Sequence, residues 1–231
     1  MLPRVLEQEL MDTAEDAHEY DTMDHSIVNV QFVRDLLCVA QDWFPKRPVR
    51  RDNRLVEILD VGAGTAQIPI ELARRATNVH VTAVDAAKGM LIVARSNVAA
   101  AKLVDRIQLV LADAKRLPLE SGSFPIVISN SIVHHIAEPQ TVLAEAIRVL
   151  AVGGLLFHRD LARPANEVEL QQLVETYAGD ANSYQRKLFA DSLRAALTLE
   201  EMRELVAGFG YSRDTVQLTS DRHWTWAAMQ N

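Results

Sequence analysis

The stretch Leu55-Val56-Glu57-Ile58-Leu59-Asp60-Val61-Gly62-Ala63-Gly64-Thr65-Ala66 constrains this chain most, because an apolar run of strand length ends in two glycines and opens into a helical pattern. Strand, tight turn and helix are expected in that order. Lacking a Cβ, Gly62 and Gly64 allow a sharp turn and let backbone N–H groups approach an anionic ligand at the helix N-terminus. Glycine pairs also mark turns that bind nothing, so the residues downstream have to decide. A second apolar run, Val79-His80-Val81-Thr82-Ala83-Val84, ends in Asp85, about 21 residues past Gly64, where a carboxylate can accept from both hydroxyls of a ribose. A dinucleotide fingerprint needs a third glycine three positions after Gly64. Gln67 stands there, which disfavours NAD and FAD.

The alternation continues beyond this pair. Strands are predicted at Leu55–Val61, Val79–Val84, Ile107–Leu111 and Ile126–Asn130, with helices at Gln67–Ala76, Lys88–Ala101 and Gln140–Leu150. Crossovers of that length join parallel strands. The fourth strand is expected to start at Ile126 because Pro125 cannot donate to a ladder. Gly153-Gly154 is read as the stop of the preceding helix, before a fifth strand at Leu155–Asp160. Upstream, Ile27, Val30, Val33, Leu37, Ala40 and Phe44 recur at helical spacing, with Asp24 or Ser26 as N-cap and Pro45 as the stop. After Arg163-Pro164 come helical stretches at Asn166–Tyr177 and Tyr184–Leu197, then a helix announced by the capping-box pair Thr198 and Glu201 and closed by Gly208 and Gly210. Asp214–Thr219 and His223–Met229 alternate like an antiparallel hairpin. One domain over 1–231 is expected: an N-terminal cap segment and helix (1–45), a core (55–161), a helical insertion (166–197), and a terminal helix and hairpin (198–231).

Charge and cysteine content narrow the function class. With 24 Lys and Arg against 31 Asp and Glu, the net charge of −7 lacks the basic footprint of a nucleic-acid binder, and the short run at residues 46–51 reads as a solvated linker. Cys38 excludes an internal disulfide and a cysteine-based metal site, and its apolar neighbours place it in the core. No metal ligands are assigned. An acidic N-terminal segment and the lack of any membrane-length apolar run lead to the expectation of a cytoplasmic protein without membrane insertion.

From Asp60 through the glycine turn, Asp85 and Asp113 to Ile132-Val133-His134-His135-Ile136, the chain resembles the class I S-adenosylmethionine (SAM) methyltransferases, particularly the small-molecule branch of the ubiquinone and menaquinone biosynthesis type. The resemblance covers roughly Leu55 to Leu161. It implies a three-layer, Rossmann-like α/β fold with a seven-stranded, mostly parallel sheet, a terminal antiparallel hairpin and a helical cap. It also implies SAM as cofactor, with Asp60, Gly62, Ala63 and Gly64 at its methionine part, Asp85 and Ala86 at the ribose, and Met90 at the adenine or ribose edge. Asp113 and Ala114 would meet the adenine. Asn130, flanked by Ser129 and Ser131, would contact the cofactor after strand four, and Tyr20, Asp24 and His25 belong to a segment that folds over it in relatives.

Each of these residues also has a purely structural use. Asp60 can tie down its own turn, Asp85 can cap the next helix, and Met90 can be core. His134 and His135 are the candidate catalytic pair, for an acceptor that must lose a proton, and packing at a helix start is their structural alternative. His158 and Asp160 rank below them, and Trp224 and Trp226, on one side of a strand, read as core or interface. The function expected is methyl transfer to a small-molecule acceptor. The alternative from another class is a SAM-binding sensor or interaction module without transfer chemistry. Aminopropyl transfer is disfavoured because Ser129-Asn130-Ser131 holds no aspartate, and methylation of nucleic acid or protein because the chain lacks both a basic surface and an Asn-Pro-Pro-Tyr-like motif.

Overall fold

The computed structural model describes residues 2–7, 12–23, 25–43 and 55–230. Asp24, Phe44, Pro45 and the basic run at 46–51 lie outside the described residues. The strands are β1 (Val56–Val61), β2 (Val79–Asp85), β3 (Ile107–Leu111), β4 (Phe124–Asn130), β5 (Leu150–Leu161), β6 (Val216–Leu218) and β7 (His223–Met229). They form one seven-stranded sheet in the order β3-β2-β1-β4-β5-β7-β6. β1 pairs in parallel with β2 and β4, β2 pairs in parallel with β3, and β6 runs antiparallel to β7. The helices are α1 (Ala14–Thr22), α2 (Ser26–Trp43), α3 (Gln67–Arg75), α4 (Lys88–Ala100), α5 (Pro139–Val149), α6 (Glu167–Ala178), α7 (Ser183–Ala195) and α8 (Leu199–Gly208). The seven-stranded, mostly parallel sheet with its antiparallel end is the architecture the resemblance implied.

By contacts the chain gathers into two compact units. One comprises 12–130, 143–158 and 227–230, and the other 2–7, 131–142 and 159–226. In the first unit, alternate strand residues Ile58, Val81, Ile126, Ile128, Leu155 and Phe157 share a core with Phe32, Val33 and Leu36 of α2, Leu72 of α3 and Ala94 of α4. Leu59, Val127 and Leu156, which point the other way, are buried as well. Burial on both faces is what turns parallel strands into near-continuous apolar runs, and it explains why these strands were legible. The second unit has its own cluster of Leu161, Leu170, Val174, Leu193 and Ala196.

Several local readings need correction. α2 buries Phe32, Val33, Leu36 and Ala40, while Ile27 and Val30 of the expected stripe are exposed. Cys38 lies on that exposed side rather than in the core. β4 begins at Phe124, with Pro125 inside it; the ladder to β1 starts only at Ile126, so the missing N–H of proline costs that ladder nothing. Gly153 and Gly154 do not stop a helix. They sit within β5, where Gly153 N donates to Gln230 O at 2.7 Å and Gln230 N donates to Gly154 O at 3.0 Å. β6 is reduced to Val216–Leu218, preceded by a 3₁₀ turn at Arg213–Thr215. The α8 capping box forms as read, with Glu201 N donating to Thr198 Oγ1 and Thr198 N to Glu201 Oε2.

Gly154 yields a first prediction. A Cβ there would lie 2.7 Å from Leu150 Cδ1, 2.8 Å from Ala151 O and 2.9 Å from Pro125 O, and two of those three atoms are backbone. Gly154→Ala should destabilise the protein by about 1–3 kcal/mol, the usual cost of overpacking. Thermal unfolding against the parent protein reads this directly, and an unchanged melting temperature would show that the β4 and β5 backbones yield freely at this point.

Candidate cofactor site and family

The glycine turn has the predicted conformation, with φ of 78° at Gly62 and 53° at Gly64, both in the left-handed region that glycine enters without penalty. Ala66, at the N-cap of α3, is also left-handed at φ 64°, with its methyl buried. The hydrogen bonding of the turn differs from expectation. Gly62 N and Ala63 N both donate to Val84 O, at 2.8 and 2.9 Å, and Gly64 N donates to Asp85 Oδ2 at 2.8 Å. These three donors are spent on the end of β2. The turn therefore offers them to no phosphate.

What it offers instead is acceptors. Asp60 is buried at 2% exposure, and its Oδ2 has no hydrogen-bond partner among the described residues; the same holds for Asn130 Oδ1 at the end of β4. Burial, reinforced by the nearby Asp85 carboxylate, pushes the Asp60 carboxyl up to about 8. Orphaned buried oxygens carry a large desolvation cost, which a cationic, hydrogen-bond-donating ligand would relieve. An amino-acid ammonium is such a ligand, and a phosphate is not. The donor–acceptor balance thus fits SAM.

Asp85 does not cap α4, whose N-cap is Ala87 without a side-chain bond. It is bonded locally, accepting from Ala87 N through Oδ1 at 2.8 Å and from Gly64 N through Oδ2, so one carboxylate fixes both the turn and the strand end. Burial raises its pKa, while the hydrogen bonds from Ala87, Gly64 and Ala86 oppose the rise. The lone pairs left over are what a ribose diol would use. Asp113 is exposed, its Oδ1 accepting from Lys115 N at 2.8 Å, and Ala114 beside it is buried. Met90 packs with Ala17, Ala87 and Tyr20 in a small cluster between α1 and α4. Ser129 Oγ donates to Val61 O at 2.8 Å, a tie between β4 and β1.

The segment before α2 is a helix in its own right, α1, and it lies against this site. Tyr20 Cε1 is 3.8 Å from where a Cβ on Gly64 would stand, and the Tyr20 ring lies 5.0 Å from the His25 ring. The residues that hold α1 there escaped the sequence reading. Asp21 Oδ1 accepts from Gln67 Nε2 at 3.0 Å and from Asn97 Nδ2 at 2.9 Å, and Gly89 N donates to Asp12 Oδ1 at 3.1 Å. The residue that stands in place of the third fingerprint glycine thus anchors a helix over the turn. A conspicuous amide at an otherwise glycine position was the only signal available.

Of the remaining candidates, His158 lies in the first unit, and His134, His135, Asp160, Trp224 and Trp226 lie in the second. His134 and His135 occupy a 3₁₀ turn, Val133–His135. His134 is buried, its Nδ1 2.5 Å from Asp160 Oδ1, and Asp160 Oδ2 accepts from Val133 N at 2.6 Å and His134 N at 3.1 Å. Burial opposes charge on His134, but Asp160 and then Glu7 outweigh it and raise its pKa, while the Asp160 carboxyl is held low against its own burial by His134. Trp224 and Trp226 are fully buried core, as expected, and His158 is buried within β5.

The mostly parallel sheet, with a glycine turn between β1 and α3 and a carboxylate ending β2, has a Rossmann-like architecture. Residues 59–158 match a family model described as methyltransferase domain. The chain is 28% identical over 207 residues to the ubiquinone/menaquinone biosynthesis C-methyltransferase UbiE of Ruegeria sp., covering 84% of this chain and 79% of the relative. It is 42% identical over 98 residues to the malonyl-acyl-carrier-protein O-methyltransferase of Geobacter sulfurreducens, covering 42% of this chain and 36% of the relative. Among solved structures, the plantazolicin methyltransferase BpumL, crystallised with a pentazolic desmethylPZN analog and SAH, shares the fold with a TM-score of 0.67 at 13% identity, over 93% of this chain and 90% of that one. The chain thus carries a methyltransferase domain over residues 59–158 and is similar to methyltransferases of small molecules. It is an enzyme that uses SAM. No helix among the described residues is long and apolar enough to cross a membrane.

Proposed function

We propose that this methyltransferase moves the SAM methyl group onto a carbon of a small-molecule acceptor. The observation that carries this reading is the relation to a C-methyltransferase across 84% of the chain, whereas the relation to an O-methyltransferase covers 42% of it. In the cofactor half, Asp60 Oδ2 and Asn130 Oδ1 receive the donors of the methionine part, Asp85 receives the ribose, and Tyr20 of α1 covers the glycine turn. When bound, SAM would supply an electrophilic methyl on its sulfonium, with SAH as the leaving group and the proton lost by the acceptor passing to solvent.

The work of the protein is then to orient the two reactants and keep water out, effects that together supply several orders of magnitude in rate. His134 sits between two carboxylates, those of Asp160 and Glu7. In the metal-free protein their charges raise the pKa of its imidazole against the effect of burial.

Single-turnover incubation with SAM carrying a deuterated methyl, across a panel of small phenols, quinols and carboxylic acids, tests the proposal by mass spectrometry. A labelled product whose methyl survives ether and ester cleavage is the expected result. Labelled ethers or esters alone would move the assignment to oxygen. Tight SAH binding with no labelled product over the whole panel would favour a SAM-binding sensor.

A further inference from the structure

We infer that Glu7, His134 and His135 form a binding site for a divalent transition-metal ion of the zinc class. The three ligating atoms, Glu7 Oε1, His134 Nε2 and His135 Nδ1, all lie within 4.8 Å of one another. Glu7 Oε1 is 3.3 Å from His134 Nε2 and 3.1 Å from His135 Nδ1. With bonds of about 2.0–2.1 Å, a tetrahedral ion spaces its ligands about 3.3 Å apart. Both carboxylate–imidazole edges have that length.

A bare ion pair accounts for the cluster less well. Glu7 Oε1 is buried and accepts no hydrogen bond among the described residues, although two imidazole nitrogens stand beside it. The distances suit a shared ion. The supporting contacts are those of a metal centre. His134 Nδ1 is engaged by Asp160, which directs Nε2 toward Glu7, and Asp160 is itself held by Val133 N, His134 N and Leu161 N. A carboxylate behind a ligating histidine fixes its tautomer and ring orientation. The other oxygen of Glu7, Oε2, accepts from Ser192 Oγ at 3.2 Å. Arg4, three residues before Glu7, donates to Ile136 O at 2.9 Å and Ala195 O at 2.6 Å, which holds the N-terminal arm against the histidine turn and α7.

Two imidazoles and one carboxylate, with no thiolate, form a set that zinc and related divalent ions accept while leaving one position for solvent or ligand. His135 is partly exposed, with 21% of its side chain accessible, while its Nδ1 and Glu7 Oε1 are buried. An ion there would join the N-terminal arm to the turn after β4. The inference is independent of the acceptor assignment.

The test is metal uptake by the full-length protein after chelator treatment, with Zn2+ followed by calorimetry and Co2+ by its visible absorption. One equivalent is expected. Glu7→Gln and His135→Asn should each weaken binding at least 10-fold, the scale typical of ligand and outer-shell changes. His80→Asn, at the partly exposed His80–Glu57 pair on β2, should leave it unchanged. SAH binding, which uses the other unit, should persist in all three variants and shows that they are folded. No uptake by the parent protein, or uptake equal in parent, Glu7→Gln and His135→Asn, would overturn the site. If the parent protein took up zinc but bound no SAH, the cofactor assignment would fail and the metal site would stand.

Discussion

Asp85→Ala is expected to weaken SAH binding by about 1.5–3 kcal/mol, roughly 10- to 150-fold, because on the proposed reading it removes a carboxylate that serves ligand and protein together. The ribose loses its acceptor, and the donors Gly64 N and Ala87 N, each 2.8 Å from an Asp85 oxygen, lose theirs. Titration calorimetry well below the melting temperature reads the first loss, and thermal unfolding without ligand reads the second. Asp85→Asn retains an acceptor for one of the two backbone donors and should lie between the alanine variant and the parent. Parent-like affinity in a folded Asp85→Ala protein would mean that Asp85 serves the turn alone.

Proton linkage at Asp60 is the second large effect. With its carboxyl near 8 in the free protein, Asp60 is mostly protonated at neutral pH, and an ammonium docked on it favours the ionised form. Binding of SAH at pH 7 should therefore release close to one proton, and affinity should rise as pH increases toward 8. Calorimetry in buffers of different ionisation enthalpy measures the release, which Asp60→Asn should abolish.

The same shift bears on stability. A carboxyl whose folded pKa exceeds its unfolded value of about 3.8 stabilises the fold fully below that pH and progressively less as pH climbs through 8. The ligand-free Asp60→Asn protein should therefore match the parent near pH 4 and exceed it by several kcal/mol at pH 8. A gap that stayed constant with pH would show that Asp60 titrates normally.

How much of this was legible follows the range of the interactions. The strand, turn and helix around Gly62 and Gly64 could be read because the apolar run, the glycine pair and the carboxylate ending β2 are local patterns set by burial and backbone sterics. The α8 capping box was legible for the same reason, its partners lying three residues apart. Readings failed where a second element decides. The side of α2 that is buried depends on what packs against Phe32 and Leu36, and Gly153-Gly154 lies inside a strand because Gln230, far along the chain, pairs with it.

The candidate site divides along the same line. Asp60, Asp85 and the glycine turn could be named from sequence, but which of their polar atoms remain without a partner among the described residues could not. Gln67 and Asp21 stand 46 residues apart, and nothing in either marks them as partners. Likewise the adjacent histidines were conspicuous, whereas Glu7 comes within 3.3 Å of them only once the arm is laid down by Arg4 and Ser192. The sequence by itself determined the order of the strands and helices along the chain and the chemistry available at each strand end, because these follow from local periodicity and residue type. Only the tertiary structure decided which donors were already spent, which oxygens were left orphaned and which distant side chains share a centre, because desolvation and charge act through space rather than along the chain.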